Sequence, residues 1–152
     1  MSVDFLALGR DVLAQQPFSV LLGTQLTAFA PGEVEMTLPL KPEFRQQAGF
    51  THGGVISYLA DNALTFAGGS ALGIEVVTAG YTINYISPGQ GERLIARASV
   101  VGKGSRQAVC RCDIFAVQDG AEYLCATALG TIVGRAPTPG PSPAGGRGEN
   151  VE

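Results

Sequence analysis

Three spacings of apolar residues succeed one another along the chain, and each predicts a different element. Over Asp4 to Gln16, Phe5, Leu8, Val12 and Leu13 recur at helical spacing, and Pro17, which lacks the N–H that a continuing helix needs, ends the run. Thr24 to Ala30, the Pro31-Gly32 pair and the alternating segment Glu33 to Leu40 read together as a β-hairpin. A polar connector, Lys41 to Thr51, leads to Gly53, and from there to about Leu72 only Gly68-Gly69 interrupts the apolar character. Val55, Ile56, Leu59, Ala60, Ala63, Leu64, Phe66 and Ala67 cover nearly the whole circumference of a helix. Such a helix is enclosed by other structure rather than laid on a surface. The rest is β: Val76 to Ile86, Arg93 to Gly102, Arg106 to Val117 and Glu122 to Val133 are separated by segments of turn chemistry. These short separations predict an antiparallel meander of the four strands.

The element order predicts an α+β domain, with an antiparallel sheet wrapped around one long central helix and a further helix at the N-terminus. One sheet cannot cover every side of that helix. A second copy is the natural cover, so at least a dimer is expected. The length of 152 residues suits one domain, placed over 1–135. Proline and glycine dominate 136–152, which offers little to bury and is expected to be disordered.

Composition removes several functional classes. Hydrophobic content of 45% with 15% charged residues is that of a soluble globular protein, and a net charge of -3 provides no basic footprint for a nucleic-acid partner. No apolar stretch approaches the roughly 18–20 residues that span a bilayer, and Met1-Ser2-Val3-Asp4-Phe5 lacks the start of a signal peptide, so no membrane association and a cytoplasmic location are expected. Cys110, Cys112 and Cys125 are an odd number without metal-ligand spacing and read as reduced thiols. With a single histidine in the chain, no metal site is expected.

That histidine carries the chemical signal. It lies in Gln46-Gln47-Ala48-Gly49-Phe50-Thr51-His52-Gly53-Gly54, directly before the apolar helix. Glycines opening a helix leave backbone N–H groups bare at its positive end, suited to an oxygen that carries negative charge. Asp61, the one acid on the helix, is hard to explain by packing alone. Together these features suggest a carbonyl-polarising site beside an acid or base. Structural readings compete: His52 as a turn cap, Asp61 bonded to backbone, Gln46 as an ordinary connector residue, Thr65 bonded back to its own helix turn.

His52-Gly53-Gly54-Val55, Leu59-Ala60-Asp61-Asn62-Ala63 and Asn84-Tyr85-Ile86-Ser87-Pro88 resemble the hotdog-fold acyl-CoA thioesterases, specifically the phenylacetate-degradation (PaaI-type) branch. The likeness in element order covers roughly Asp4 to Gly134. It implies that the Gly53 N–H is the oxyanion donor and Asp61 the base or nucleophile. It also places Gln46 and His52 near the thioester, and Thr65 or Thr78 beside the attacking water, with Gly54 at the substrate. No cofactor is implied, because coenzyme A arrives as part of the substrate; Lys103 and Arg106 would be contacts for its phosphates. Homodimers, and dimers of dimers, are the implied assemblies. Gly53 and Asp61 stand about 12 Å apart along one helix, so one carbonyl cannot meet both in a single subunit. Antiparallel helices across a dimer axis would bring Asp61 of one subunit to Gly53 of the other. Phe50, Tyr58, Phe66 and Tyr81 are candidates for an aromatic-accepting pocket. The competing functions on this architecture are a non-catalytic acyl-CoA sensor and a hydratase or dehydratase, although the Asp-x-Asn-Pro-x-His segment usual in hydratases is missing.

Overall fold

A computed structural model describes residues 2–136 and Gly140. The expected disorder over 136–152 thus concerns residues that, Ala136 and Gly140 apart, lie outside the described ones. The chain runs α1 (Phe5–Ala14), α2 (Pro17–Leu22), β1 (Gln25–Ala30), β2 (Glu33–Pro39), a 3₁₀ turn (Pro42–Phe44), α3 (Gly53–Leu72), β3 (Val76–Tyr85), β4 (Arg93–Lys103), β5 (Gln107–Gln118) and β6 (Ala121–Gly134). Six antiparallel strands in the order β1-β2-β4-β5-β6-β3 form one sheet, and α3 packs against five of them. This is the hotdog arrangement.

Two expectations are corrected. Pro17 does not lead straight to the hairpin; it opens α2, where a proline at the first helical position has its φ preset and loses only an N–H that would be unpaired anyway. The four long strands are not a simple meander either. β4, β5 and β6 follow one another, but β3 pairs with β6 through the register Tyr81↔Gly130, while β4 pairs with β2. The connection from Tyr85 to Arg93 is long enough to carry the chain across the sheet. It does so past the start of α3, where the Thr51 N–H donates to the Gly89 carbonyl at 2.9 Å.

The core explains why α3 is apolar all round. Leu59, Ala60, Ala63, Leu64 and Ala67 join Met36, Leu38, Leu94, Ala96, Cys110, Cys112, Ile114 and Ile132 in one buried cluster. The helix lies so close to β6 that a Cβ on Gly68 would sit 2.7 Å from the Ile132 Cβ. Gly68→Ala is therefore expected to lower stability by about 1–3 kcal/mol, read in equilibrium unfolding as a lower urea midpoint at an unchanged slope. Of the four aromatic pocket candidates, Phe66 is packed edge-on against Phe29 in this core. Tyr81 hydrogen-bonds Ser57 at 2.6 Å, and Tyr58 stacks edge-on with Phe18 of α2. Only Phe50 reaches the recess over the start of α3.

All three cysteines are free and buried. Burial pushes the Cys110 and Cys125 thiols up to about 11 and raises Cys112 further, so they are protonated packing groups rather than nucleophiles. On the outer face of the sheet Arg97 bridges Glu35 at 2.9 Å and Glu122 at 2.7 Å, and its guanidinium lies 5.0 Å from the Phe115 ring. No helix among the described residues is long and apolar enough to cross a membrane. At the edge opposite β1, β3 carries neither a charged residue nor a proline along its ten residues, and Val77 and Tyr85 are exposed. Edge strands normally carry such residues to prevent pairing with another chain.

Candidate active site

The start of α3 is built by its own side chains. His52 is the N-cap, with φ -59° and ψ 133°, and its Nδ1 accepts the Gly54 N–H at 2.9 Å. An accepting Nδ1 places the ring proton on Nε2, so neutral His52 presents an outward donor. The spacing His-Gly-Gly has a steric reason as well: a Cβ on Gly54 would lie 3.0 Å from that same Nδ1. The His52 N–H donates to the Phe44 carbonyl at 2.7 Å, and the Val55 N–H to the His52 carbonyl at 3.0 Å. Gly53 is the exception. Its N–H has no acceptor among the described residues, and it points from the positive end of a 20-residue helix. His52→Ala is expected to cost about 1 kcal/mol by releasing the cap, with His52→Asn recovering most of it. Hydrogen exchange of the Gly54 amide reads both effects.

A recess of about 370 Å³ lies over this N–H, with Gln46, Phe50, Ile56, Tyr85 and Pro88 in its lining. Gln46 is held by its own loop: its N–H donates to the Phe50 carbonyl at 2.8 Å, and its Oε1 accepts the Ala48 N–H. With Oε1 so engaged, the side-chain NH₂ is left as a donor on the same recess. Tyr85 is a site residue that the sequence does not single out. Its hydroxyl donates to the Gly53 carbonyl at 3.1 Å, and its ring would lie 3.5 Å from a Cβ on Gly53. The only signal in the sequence is its place in the Asn-Tyr-Ile-Ser-Pro segment.

Asp61 sits two turns along α3, half-buried, on the stripe of the helix that the sheet leaves open. Its Oδ1 accepts the Thr78 hydroxyl of β3 at 2.7 Å. Thr78 Oγ1 is also 2.9 Å from Thr65 Oγ1, and Thr65 Oγ1 lies 2.8 Å from the Asp61 carbonyl. Each hydroxyl has one proton. That of Thr78 is spent on the carboxylate, so Thr65 supplies the donor to Thr78 or bonds back to its own turn. The second oxygen of Asp61 has no donor among the described residues and is the one left to receive a proton or attack a carbon.

The structure thus brings together two half-sites rather than one. Gln46, His52, Gly53 and Gly54 form the candidate half that offers N–H donors at the start of α3, beside Tyr85 at the end of β3. Asp61, Thr65 and Thr78 form the carboxylate half, eight residues along the helix and at the start of β3. Lys103 and Arg106 belong to neither: they flank the β4–β5 turn, where the Arg106 carbonyl accepts the Gly134 N–H at 2.7 Å, at the end of the sheet away from Gly53.

The sequence profile of the Thioesterase superfamily matches residues 48–123, which include His52, Gly53, Asp61, Thr65 and Thr78. A thioesterase family protein from Silicibacter pomeroyi is 34% identical, with 82% of this chain and 93% of that one covered and a TM-score of 0.77. A variant of the phenylacetic acid degradation protein PaaI from Thermus thermophilus is 30% identical over 79% of this chain and 100% of that one, with a TM-score of 0.70. The PaaI protein of the E. coli phenylacetic acid degradation operon matches the fold at a TM-score of 0.78, over 90% of this chain and 99% of that one, at 23% identity.

Proposed function

Since the chain belongs to the thioesterase superfamily, we propose that it hydrolyses an acyl-CoA to the free acid and coenzyme A, at a site shared between two subunits. The observation that carries this reading is the pairing, on one helix, of a Gly53 N–H with a carboxylate oxygen of Asp61, neither of which has a partner among the described residues. Thioester hydrolysis needs both groups.

The thioester oxygen takes the Gly53 N–H, with the Gln46 NH₂ beside it, and gains charge as the carbonyl carbon is attacked. Asp61 accepts a proton from the attacking water, and Thr78 holds the carboxylate in place. The tetrahedral intermediate then collapses, the C–S bond breaks, and the departing sulfur takes the proton back from Asp61. Direct attack by Asp61, through an acyl-enzyme anhydride, is the other route to the same products. A single turnover in isotopically labelled water that leaves label in Asp61 would show an anhydride opened by water at the Asp61 carboxyl carbon, an outcome the general-base route does not give. His52 holds the loop through its Nδ1, which is committed to the Gly54 N–H and so takes no proton, while its Nε2–H stays available as a donor.

The unprotected β3 edge supports a dimer joined along that strand, with a dimer of dimers as the further assembly. A twofold axis there would set the two α3 helices antiparallel, which closes the roughly 12 Å gap between the half-sites. Phe50 and Tyr85 at the recess make phenylacetyl-CoA the first substrate to try, followed by benzoyl-CoA and straight-chain acyl-CoAs. The test is release of free thiol from that panel by the intact protein. Turnover of at least one member is expected; saturable acyl-CoA binding with no turnover would reduce the protein to an acyl-CoA sensor.

A further inference from the structure

Ser57 stands midway between the two half-sites, four residues after Gly53 and four before Asp61 on α3. Its Oγ lies 2.6 Å from the hydroxyl of Tyr81, which reaches it from β3. Two further bonds from β3 to α3 flank this one. Thr78 donates to Asp61 at 2.7 Å towards one end of the strand, and Tyr85 donates to the Gly53 carbonyl at 3.1 Å at the other. Ser57 and Tyr81 are thus the middle rung between helix and edge strand. Both are half-buried in the protomer, and neither hydroxyl has a further hydrogen bond among the described residues.

Twofold symmetry turns this spacing into a position. If Gly53 of one subunit stands opposite Asp61 of the other on antiparallel helices, the residue midway between them, Ser57, faces its own copy. On β3 the same rotation exchanges the Thr78 end with the Tyr85 end, and its centre falls at Tyr81 and Thr82. Of these two, Tyr81 points to the helix. Helix and strand therefore place the axis separately, and the Ser57–Tyr81 hydrogen bond puts both positions on one line. The side chains suit such a place. A residue beside a twofold axis meets itself, so a charged group there would meet its like. A hydroxyl both donates and accepts and is its own complement. The Ser57–Tyr81 bond uses one of the two hydroxyl protons, which leaves the other for an acceptor outside the protomer.

We infer that the twofold axis of the shared site runs past Ser57 and Tyr81, where their hydroxyls face those of the second copy and fix the register that sets Gly53 against Asp61. The inference rests on the shared-site reading and adds the residues that align its halves. Ser57 and Tyr81 are positioning residues, between the two catalytic centres of the dimer and part of neither.

The test is cross-linking of the full-length Ser57→Cys protein with a short bismaleimide, read as a covalent dimer on a denaturing gel. The native cysteines are buried, and the wild type serves as the blank. Ser57→Cys is expected to link efficiently. Asp61→Cys, whose copies are separated by about 12 Å along the helix in this register, is expected to link several-fold less. Linking that is equal at the two positions, or greater at position 61, would overturn the inference. A second measurement needs no variant. In dimers mixed from isotope-labelled and unlabelled wild-type subunits, filtered NOE spectra are expected to connect the Tyr81 ring to Ser57 or Tyr81 of the partner subunit. A dimeric sample without these connections would overturn the inference, and a monomeric one would overturn it together with the shared site. Thiol release from the acyl-CoA panel decides the activity separately: a Ser57→Cys protein that links efficiently, beside a wild type that hydrolyses no thioester, would retain the axis and refute the activity.

Discussion

Asp61→Asn is expected to lower kcat on the best acyl-CoA by about 10²–10⁴-fold, with little change in KM or in stability. The reasoning is local. The asparagine oxygen can still accept the Thr78 hydroxyl, which reaches Asp61 at 2.7 Å, so the contacts among α3, β3 and Thr65 survive the substitution. What disappears is the ability to take a proton or attack a carbon. A structural acid would behave in the opposite way: its removal would leave turnover intact in the surviving folded protein and show mainly as lost stability. Steady-state kinetics beside equilibrium unfolding separates the two cases.

The second large effect comes from the backbone. Gly53→Pro deletes the N–H proposed to hold the oxyanion, and the structure is prepared for a proline at that place. Position 53 is the first residue of α3, where proline is tolerated. His52, with ψ 133°, already has the extended conformation required before a proline. A Cβ on Gly53 meets nothing nearer than the Tyr85 ring at 3.5 Å, an ordinary contact. Loss of one oxyanion donor is worth about 10²–10³ in kcat. The variant should therefore fold, bind coenzyme A and turn over at a small fraction of the wild-type rate. Near-normal turnover would remove the Gly53 N–H from the mechanism.

The parts of this molecule that are legible in the sequence are those set by neighbours along the chain. The all-apolar circumference of α3 announces its burial, alternation over Glu33–Pro39 announces β2, and His52, Gly53 and Asp61 are visible because one helix carries all three. Pairing across the sheet is not legible from periodicity. Alternation tells which face a residue takes and not which strand lies beside it, so β3 next to β6 cannot be read from the turns. The contacts that complete each half-site also join distant segments. Thr78 reaches Asp61 from 17 residues away, and Tyr85 reaches Gly53 from 32. The family resemblance places Thr78 with the attacking water, whereas the structure bonds it to the carboxylate itself; nothing near Tyr85 in the chain points to its contact with Gly53. Pro17 misleads for a different reason. The same missing N–H that ends one helix suits the first position of the next, and only the residues on its C-terminal side decide between the two.

The division of the site into two half-sites on one helix leads to the most direct test. Asp61→Asn and Gly53→Pro proteins, each nearly inactive alone, are mixed under conditions where subunits exchange, and thiol release from acyl-CoA is measured. Half of randomly exchanged dimers are mixed, and each mixed dimer holds one complete site of two, so activity should recover to about a quarter of the wild-type level. If exchange is demonstrated and the mixture stays as inactive as its components, Asp61 and Gly53 do not meet across a subunit interface, and the shared site is wrong.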